Sequence, residues 1–153
     1  MGKEFSKDLV APCGMDCNVC SGYLAIRHDL KRKGIRMSTC AGCRPRDKHC
    51  AFLKKRCASL RNQMVSFCYE CKEYPCENLV HIDTRYTTYF RMSLLDNLLM
   101  IQKNGMDQFL RAEADKWRCP ACGGVICCHN GLCFHCDTDR LKKKKQKYRW
   151  DDE

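Results

Sequence analysis

The chain has 153 residues, 16 of them cysteine, with 28 basic against 18 acidic side chains and a formal net charge of +10. Cysteine at roughly one residue in ten is far above ordinary globular usage, and the 44% hydrophobic content counts those cysteines. The length suits one ordinary domain or two small ones, but the aliphatic material is too thin for a core that acts alone.

Met1 to Pro12 carries Lys3, Glu4, Lys7 and Asp8 and holds no apolar run of signal-peptide length. Cys119 to Cys136 lacks Lys, Arg, Asp and Glu, but it is dense in Cys, Gly, His and Asn and does not read as a membrane span. Met1 to Ser6 fits the myristoylation template, yet a single acyl chain gives only marginal anchoring. The expectation is a cytoplasmic protein without a membrane partner, in a reducing compartment where cysteines bind metal instead of forming disulfides. Five Cys-x2-Cys pairs support this, since a two-residue gap presents two thiolates to one ion at about 2.3 Å each.

The expected architecture is a small, metal-stabilised α+β protein. Residues 1–80 form a zinc-knuckle module with short helices, residues 81–117 a helical segment packing on it, residues 118–138 a zinc ribbon β-hairpin, and residues 139–153 a basic tail. In the front module, Ser21 is expected to cap a helix with Tyr23, Ile26 and Leu30 on one face, closed by Gly34. Leu53, Cys57, Leu60 and Met64 predict a second helix over residues 51–63.

Ten cysteines compete for the front metal positions. The simplest pairing sets Cys17, Cys20, Cys40 and Cys43 around one ion and Cys57, Cys68, Cys71 and Cys76 around another, with Cys13 and Cys50 as substitutes for any of these. An interleaved pairing fits the spacing equally well. The three-then-two spacing of Cys13, Cys17 and Cys20 also resembles the cluster-binding loop of radical S-adenosylmethionine enzymes. The surrounding barrel of such enzymes needs about 200 residues or more, so the alternative cofactor is a smaller iron–sulfur cluster in this module.

Cys13-Gly14-Met15-Asp16-Cys17-Asn18-Val19-Cys20, Cys40-Ala41-Gly42-Cys43-Arg44, Lys55-Arg56-Cys57-Ala58 and Phe67 to Glu77 together resemble a family of small cysteine-rich prokaryotic proteins of unknown function, held to bind zinc and to carry a zinc ribbon behind the front module. The resemblance implies metal binding in a bacterial or archaeal cytoplasm and transfers no catalytic residue.

Leu94, Leu95, Leu98, Leu99 and Ile101 predict an amphipathic helix stopped by Asn104-Gly105, and Met106, Phe109, Leu110 and Trp117 predict another behind it. Residues 85–90 are aromatic and polar and indicate no element. In the back, Cys119, Cys122, Cys133 and Cys136 have zinc-ribbon spacing, and His129-Asn130-Gly131 carries a hairpin-turn signal. Cys127 and Cys128 are adjacent and point to opposite faces, which makes them packing residues, while His129 and His135 are expected on the surface. About three zinc ions per chain follow, and since each four-thiolate centre carries −2, they lower the formal +10 to about +4.

Nothing indicates catalysis: the five histidines are scattered, and no phosphate loop, nucleophile elbow or dinucleotide fingerprint is present. Residues 27 to 61 hold twelve basic and two acidic groups. Lys142, Lys143, Lys144, Lys145, Lys147 and Arg149 form a second basic stretch, with Tyr148 and Trp150 placed to stack on bases. The functional expectation is a non-enzymatic zinc protein presenting a basic surface to nucleic acid or a protein partner; the competing class is an iron–sulfur or thiol-based redox protein.

Overall fold

The structure, a computed structural model, describes residues 5–42 and 66–150. Cys43, Cys50, Cys57 and the helix expected over residues 51–63 lie outside the described residues. Helices dominate what is described: α1 Ser21–Arg27, α2 Glu77–Tyr89, α3 Leu94–Asn104, α4 Met106–Lys116 and α5 Thr138–Lys143.

The expected α+β class with a C-terminal ribbon hairpin is therefore incorrect. Among the described residues there is no sheet, only isolated antiparallel bridges, two of them in the back at Arg118 with Val125 and Ile126 with Cys133. The reason lies in where the backbone bonds go. Ile126 N donates to Trp117 O at 2.7 Å, and Cys128 N donates to Val19 O at 3.0 Å. The first of these, with Cys119 N to Gly124 O at 2.9 Å, closes the Arg118–Val125 bridge, and Cys127 N to Leu132 O at 2.9 Å closes the Ile126–Cys133 bridge. The turns held by Gly123 N to Cys119 O and Gly131 N to Cys127 O begin at the next residues and stop each ladder at a single pair.

α3 and α4 fall where the periodicity places them. Ser93 caps α3, its hydroxyl accepting from Asp96 N at 3.1 Å and donating to Asp83 Oδ1 at 2.9 Å. Gly105, at φ +90, ends α3 and starts α4, a left-handed backbone that glycine adopts without steric cost. α2 absorbs the unassigned stretch 85–90 up to Tyr89, and Tyr86 packs edge-on against Phe90 at 5.1 Å. In α1, Cys20 occupies the cap position and Ser21 is the first helical residue. Leu24 and Ala25 face inward, whereas Ile26, expected on that face, is 49% exposed.

α3 packs on α2 and α4, and α1 packs on the 3-10 turn Cys17–Val19. The central core gathers Met15, Cys17, Cys68, Leu79, Leu94, Leu98, Trp117 and Cys128. A second core joins Leu24, Leu30, Ile35, Phe134 and Leu141, so α5 is anchored on the segment that follows α1. Gly14, at φ +93, lies so close to α3 that a Cβ there would overlap the carbonyl oxygen of Leu94. Asn97 Nδ2 donates to Gly14 O at 2.8 Å from the same helix. None of the described helices is long and apolar enough to cross a membrane.

Candidate metal centre

Two tight turns bring the back cysteines together. In the first, Gly123 N donates to Cys119 O at 2.8 Å and Cys119 N to Gly124 O at 2.9 Å, with Gly123 at φ +75. In the second, Cys133 N donates to Asp137 Oδ2 at 2.9 Å and Asp137 N to Cys133 O at 2.8 Å. Between them, residues 127–132 close a turn held by Gly131 N to Cys127 O at 2.8 Å and Leu132 N to Asn130 Oδ1 at 3.0 Å.

The result is a cluster in which the sulfurs of Cys119, Cys122, Cys133 and Cys136 all lie within 4.8 Å of one another. Cys119 and Cys136 are 3.9 Å apart sulfur to sulfur, and Cys122 and Cys133 are 3.7 Å apart. A tetrahedral ion about 2.3 Å from each sulfur requires sulfur separations of about 3.8 Å. The donor set and its spacing therefore fit a metal ion held by four thiolates.

The local electrostatics favour thiolate character at one edge of the cluster. Burial opposes ionisation of Cys119, but the amides of Cys122 and Ala121, together with the thiols of Cys122 and Cys133, bring its pKa down to about 7. Gly124 N also donates to Cys122 Sγ at 3.3 Å. Cys136, the exposed member, is pushed up to about 12, mainly by its interaction with the Cys122 side chain. Four sulfurs this close cannot all ionise cheaply unless a cation supplies the opposing charge.

The front cysteines are arranged differently. Cys13, Cys17 and Cys68 are buried, and Cys20, Cys40, Cys71 and Cys76 are half-buried. Cys68 N donates to Pro12 O at 2.9 Å, which sets the Cys68 turn beside Cys13. Cys40 N donates to Gly22 O at 3.0 Å, and Gly42 N donates to Cys40 Sγ at 3.4 Å, the same amide-to-sulfur contact as in the back centre. Among the described residues, no three front cysteines bring their sulfurs together as the back four do.

Cys127 and Cys128 are fully buried and serve different cores, Cys127 the one around Phe134 and Cys128 the central one. Burial raises both thiols, which makes them unreactive as nucleophiles. His135 is exposed as expected, but His129 is not on the surface. Its Nδ1 accepts from Ser21 N at 3.1 Å, its Nε2 lies 3.3 Å from the Tyr86 hydroxyl, and Phe90 packs edge-on at 4.7 Å. Burial, followed by the charge of Arg85, lowers its pKa to about 4, so the ring is neutral. It ties the back turn to α1 and α2.

A buried carboxyl pair, Asp16 and Glu113, has no signal in the sequence. Asp16 Oδ1 accepts from Asn18 N and Asn18 Nδ2 at 3.0 and 2.8 Å. Among the described residues, no hydrogen-bond partner meets the buried Asp16 Oδ2, Glu113 Oε1 or Trp117 Nε1. Burial raises Asp16 to about 6. Burial and the neighbouring Asp16 charge raise Glu113 to about 8. A turn acid beside a cysteine and an i, i+4 position on a surface-patterned helix give no hint of such a pairing.

In the tail, Lys142, Lys143, Lys145 and Arg149 are exposed. Lys147 is engaged internally, its ammonium donating to the carbonyls of Leu141 at 3.0 Å and Lys144 at 2.6 Å at the end of α5. Trp150 is fixed as well: its Nε1 donates to Cys128 O at 2.8 Å, and the Arg91 guanidinium lies 3.8 Å over its ring.

Residues 9–81 match a family described as a protein of unknown function, DUF3795. No curated protein and no solved structure matches the chain.

Proposed function

We propose that this protein is a non-enzymatic zinc-binding protein. In this reading, Cys119, Cys122, Cys133 and Cys136 hold a structural zinc ion, and the chain presents a basic surface to nucleic acid. The observation that carries the metal assignment is the sulfur cluster, with separations of 3.7 and 3.9 Å. Four thiolates close a zinc site and leave no open position for water, which suits structure and not hydrolysis. The excess of base over acid in residues 27–61 and in the tail supports the surface half of the reading. A bacterial or archaeal cytoplasm, implied by the resemblance of the front module, would keep the thiols reduced. Further zinc ions on the front cysteines remain part of the proposal, with ligands drawn from Cys17, Cys20, Cys40, Cys43, Cys57, Cys68, Cys71 and Cys76 and with Cys13 or Cys50 as replacements.

The test is elemental analysis and a visible spectrum of protein purified without oxygen. The expected result is zinc at one equivalent or more per chain and no charge-transfer colour. A brown protein containing iron and sulfide would replace this reading with the redox alternative.

A further inference from the structure

Residues 31–39 and the tail around Lys142 and Tyr148, remote in sequence, meet on one face. Leu141 of α5 shares a core with Leu30 and Ile35, and Ser38 N donates to the Tyr148 hydroxyl at 2.9 Å across 110 residues of chain. The Lys142 ammonium lies against Gly34, 3.4 Å from where a Cβ would stand. Between these contacts opens a cleft of ≈ 780 Å³ lined, among the described residues, by Lys31, Ile35, Arg36, Met37, Thr39 and Tyr148 together with Gly34 and Ser38, none of them acidic. Asp29, the nearest acid in sequence, is occupied by Arg32 at 3.4 Å.

The lining has two chemistries side by side. Ile35 and Met37 supply an apolar floor, and Tyr148 stands at its edge with 43% of its surface exposed and its hydroxyl anchored. Lys31 and Arg36, both exposed, bring positive charge to the lining, and Lys142 adds more alongside. An aromatic face beside an apolar floor accepts a base, and clustered cations accept the phosphates on either side of it. The volume is of the size that holds a small molecule or a nucleotide, and a base must be unpaired to stack in it.

We propose that this cleft binds single-stranded nucleic acid, with one base stacked on Tyr148 and adjacent phosphates paired with Lys31, Arg36 and Lys142. The proposal rests on the basic-surface reading above and adds its location and its partner. Trp150 takes no part, because it is held against Gly131 and Cys128, nor does Lys147, whose ammonium donates to the carbonyls of Leu141 and Lys144.

The experiment titrates metal-loaded full-length protein into a short fluorescein-labelled oligothymidylate at two salt concentrations, with a duplex of the same length and polyglutamate as competitors. Lys31→Ala with Arg36→Ala is expected to weaken binding roughly tenfold at low salt and to reduce the salt slope by about 1.4, the share of two phosphate contacts on a single strand. Tyr148→Leu is expected to cost about fivefold or more with the salt slope unchanged. Lys103→Ala with Arg111→Ala, on α3 and α4, removes the same charge elsewhere and is expected to bind as the parent does. Metal content and thermal melting confirm that each variant is folded. If the cleft variants bind like the parent, the cleft is overturned while a basic nucleic-acid surface stands. If the parent binds no oligonucleotide even at low salt, both fail. Equal or tighter binding of the duplex or of polyglutamate overturns the single-strand assignment.

Discussion

Cys122 and Cys133 stand 3.7 Å apart sulfur to sulfur, and Cys119 and Cys136 complete their cluster between residues 119 and 136. Cys13, Cys17 and Cys68 come from two separated stretches and are buried in a core with Leu79, Leu94 and Leu98. The back cysteines face one another; the front ones share a core with side chains from α2 and α3. Closing a short loop costs little chain entropy, so two turns suffice to bring the four back sulfurs together. The front arrangement depends on α2 and α3 being in place. A Cys-x2-Cys pair thus marks a turn able to present sulfur, but only the rest of the fold decides whether the sulfurs converge.

The largest effect should come from attacking the back centre itself. Structural zinc in finger peptides binds with about 10–16 kcal/mol. Cys133→Ser is therefore expected to lose a full metal equivalent and to loosen the chain from residue 118 onward. Because α5 begins at Thr138, directly behind Cys136 and Asp137, oligonucleotide affinity should fall with the metal. Cys128→Ala removes an equally buried thiol that is outside the cluster. It should keep its metal and lose only about 1–2 kcal/mol of stability from the small cavity. Metal loss in Cys128→Ala and retention in Cys133→Ser would reverse the comparison.

Gly14→Ala attacks the front packing instead. A non-glycine residue at φ +93 costs about 1–3 kcal/mol from its backbone alone, and the overlap with the Leu94 carbonyl adds to this. Denaturant melting should show that loss while the metal equivalent of the back centre persists. Simultaneous loss of metal would mean that the two regions fold as one cooperative unit.

The sequence was most legible where structure is local. The stop at Gly105, the two helices around it and the spacing of the four back cysteines all follow from short-range rules. The ribbon hairpin shrinks to isolated bridges because tight turns at Cys119 and Cys127 follow each paired residue at once, and the alternation of residue types does not show where such a turn cuts a strand short. The four thiolates leave His129 no ligand role, and its sequence neighbours give it no other; Ser21, Tyr86 and Phe90, all distant in sequence, enclose it. The approach of Lys31 and Arg36 to Tyr148 is equally non-local, and composition reports only summed charge.

The seam between the regions offers the smallest and most specific test. Asp16 belongs to the front turn, and Glu113 lies on α4 one helical turn before Trp117, which leads into the back centre. The folded protein holds the Glu113 proton up to about pH 8, against an ordinary value of 4.5. The unfolded chain therefore releases that proton at lower pH than the fold does. The contribution of the neutral carboxyl to stability is complete below about pH 4.5 and is lost as pH rises to about 8. Asp16, raised to about 6, titrates with Glu113 as a pair and loses its contribution over the lower part of the same window. Glu113→Gln keeps the shape, stays neutral and relieves the repulsion on Asp16. It should be indistinguishable from the parent near pH 4.5 and more stable by about 1–3 kcal/mol near pH 8, with unchanged metal content. Denaturant melts across that range measure the difference. An equal stability difference at both ends would show that Glu113 ionises in the fold as readily as in the unfolded chain.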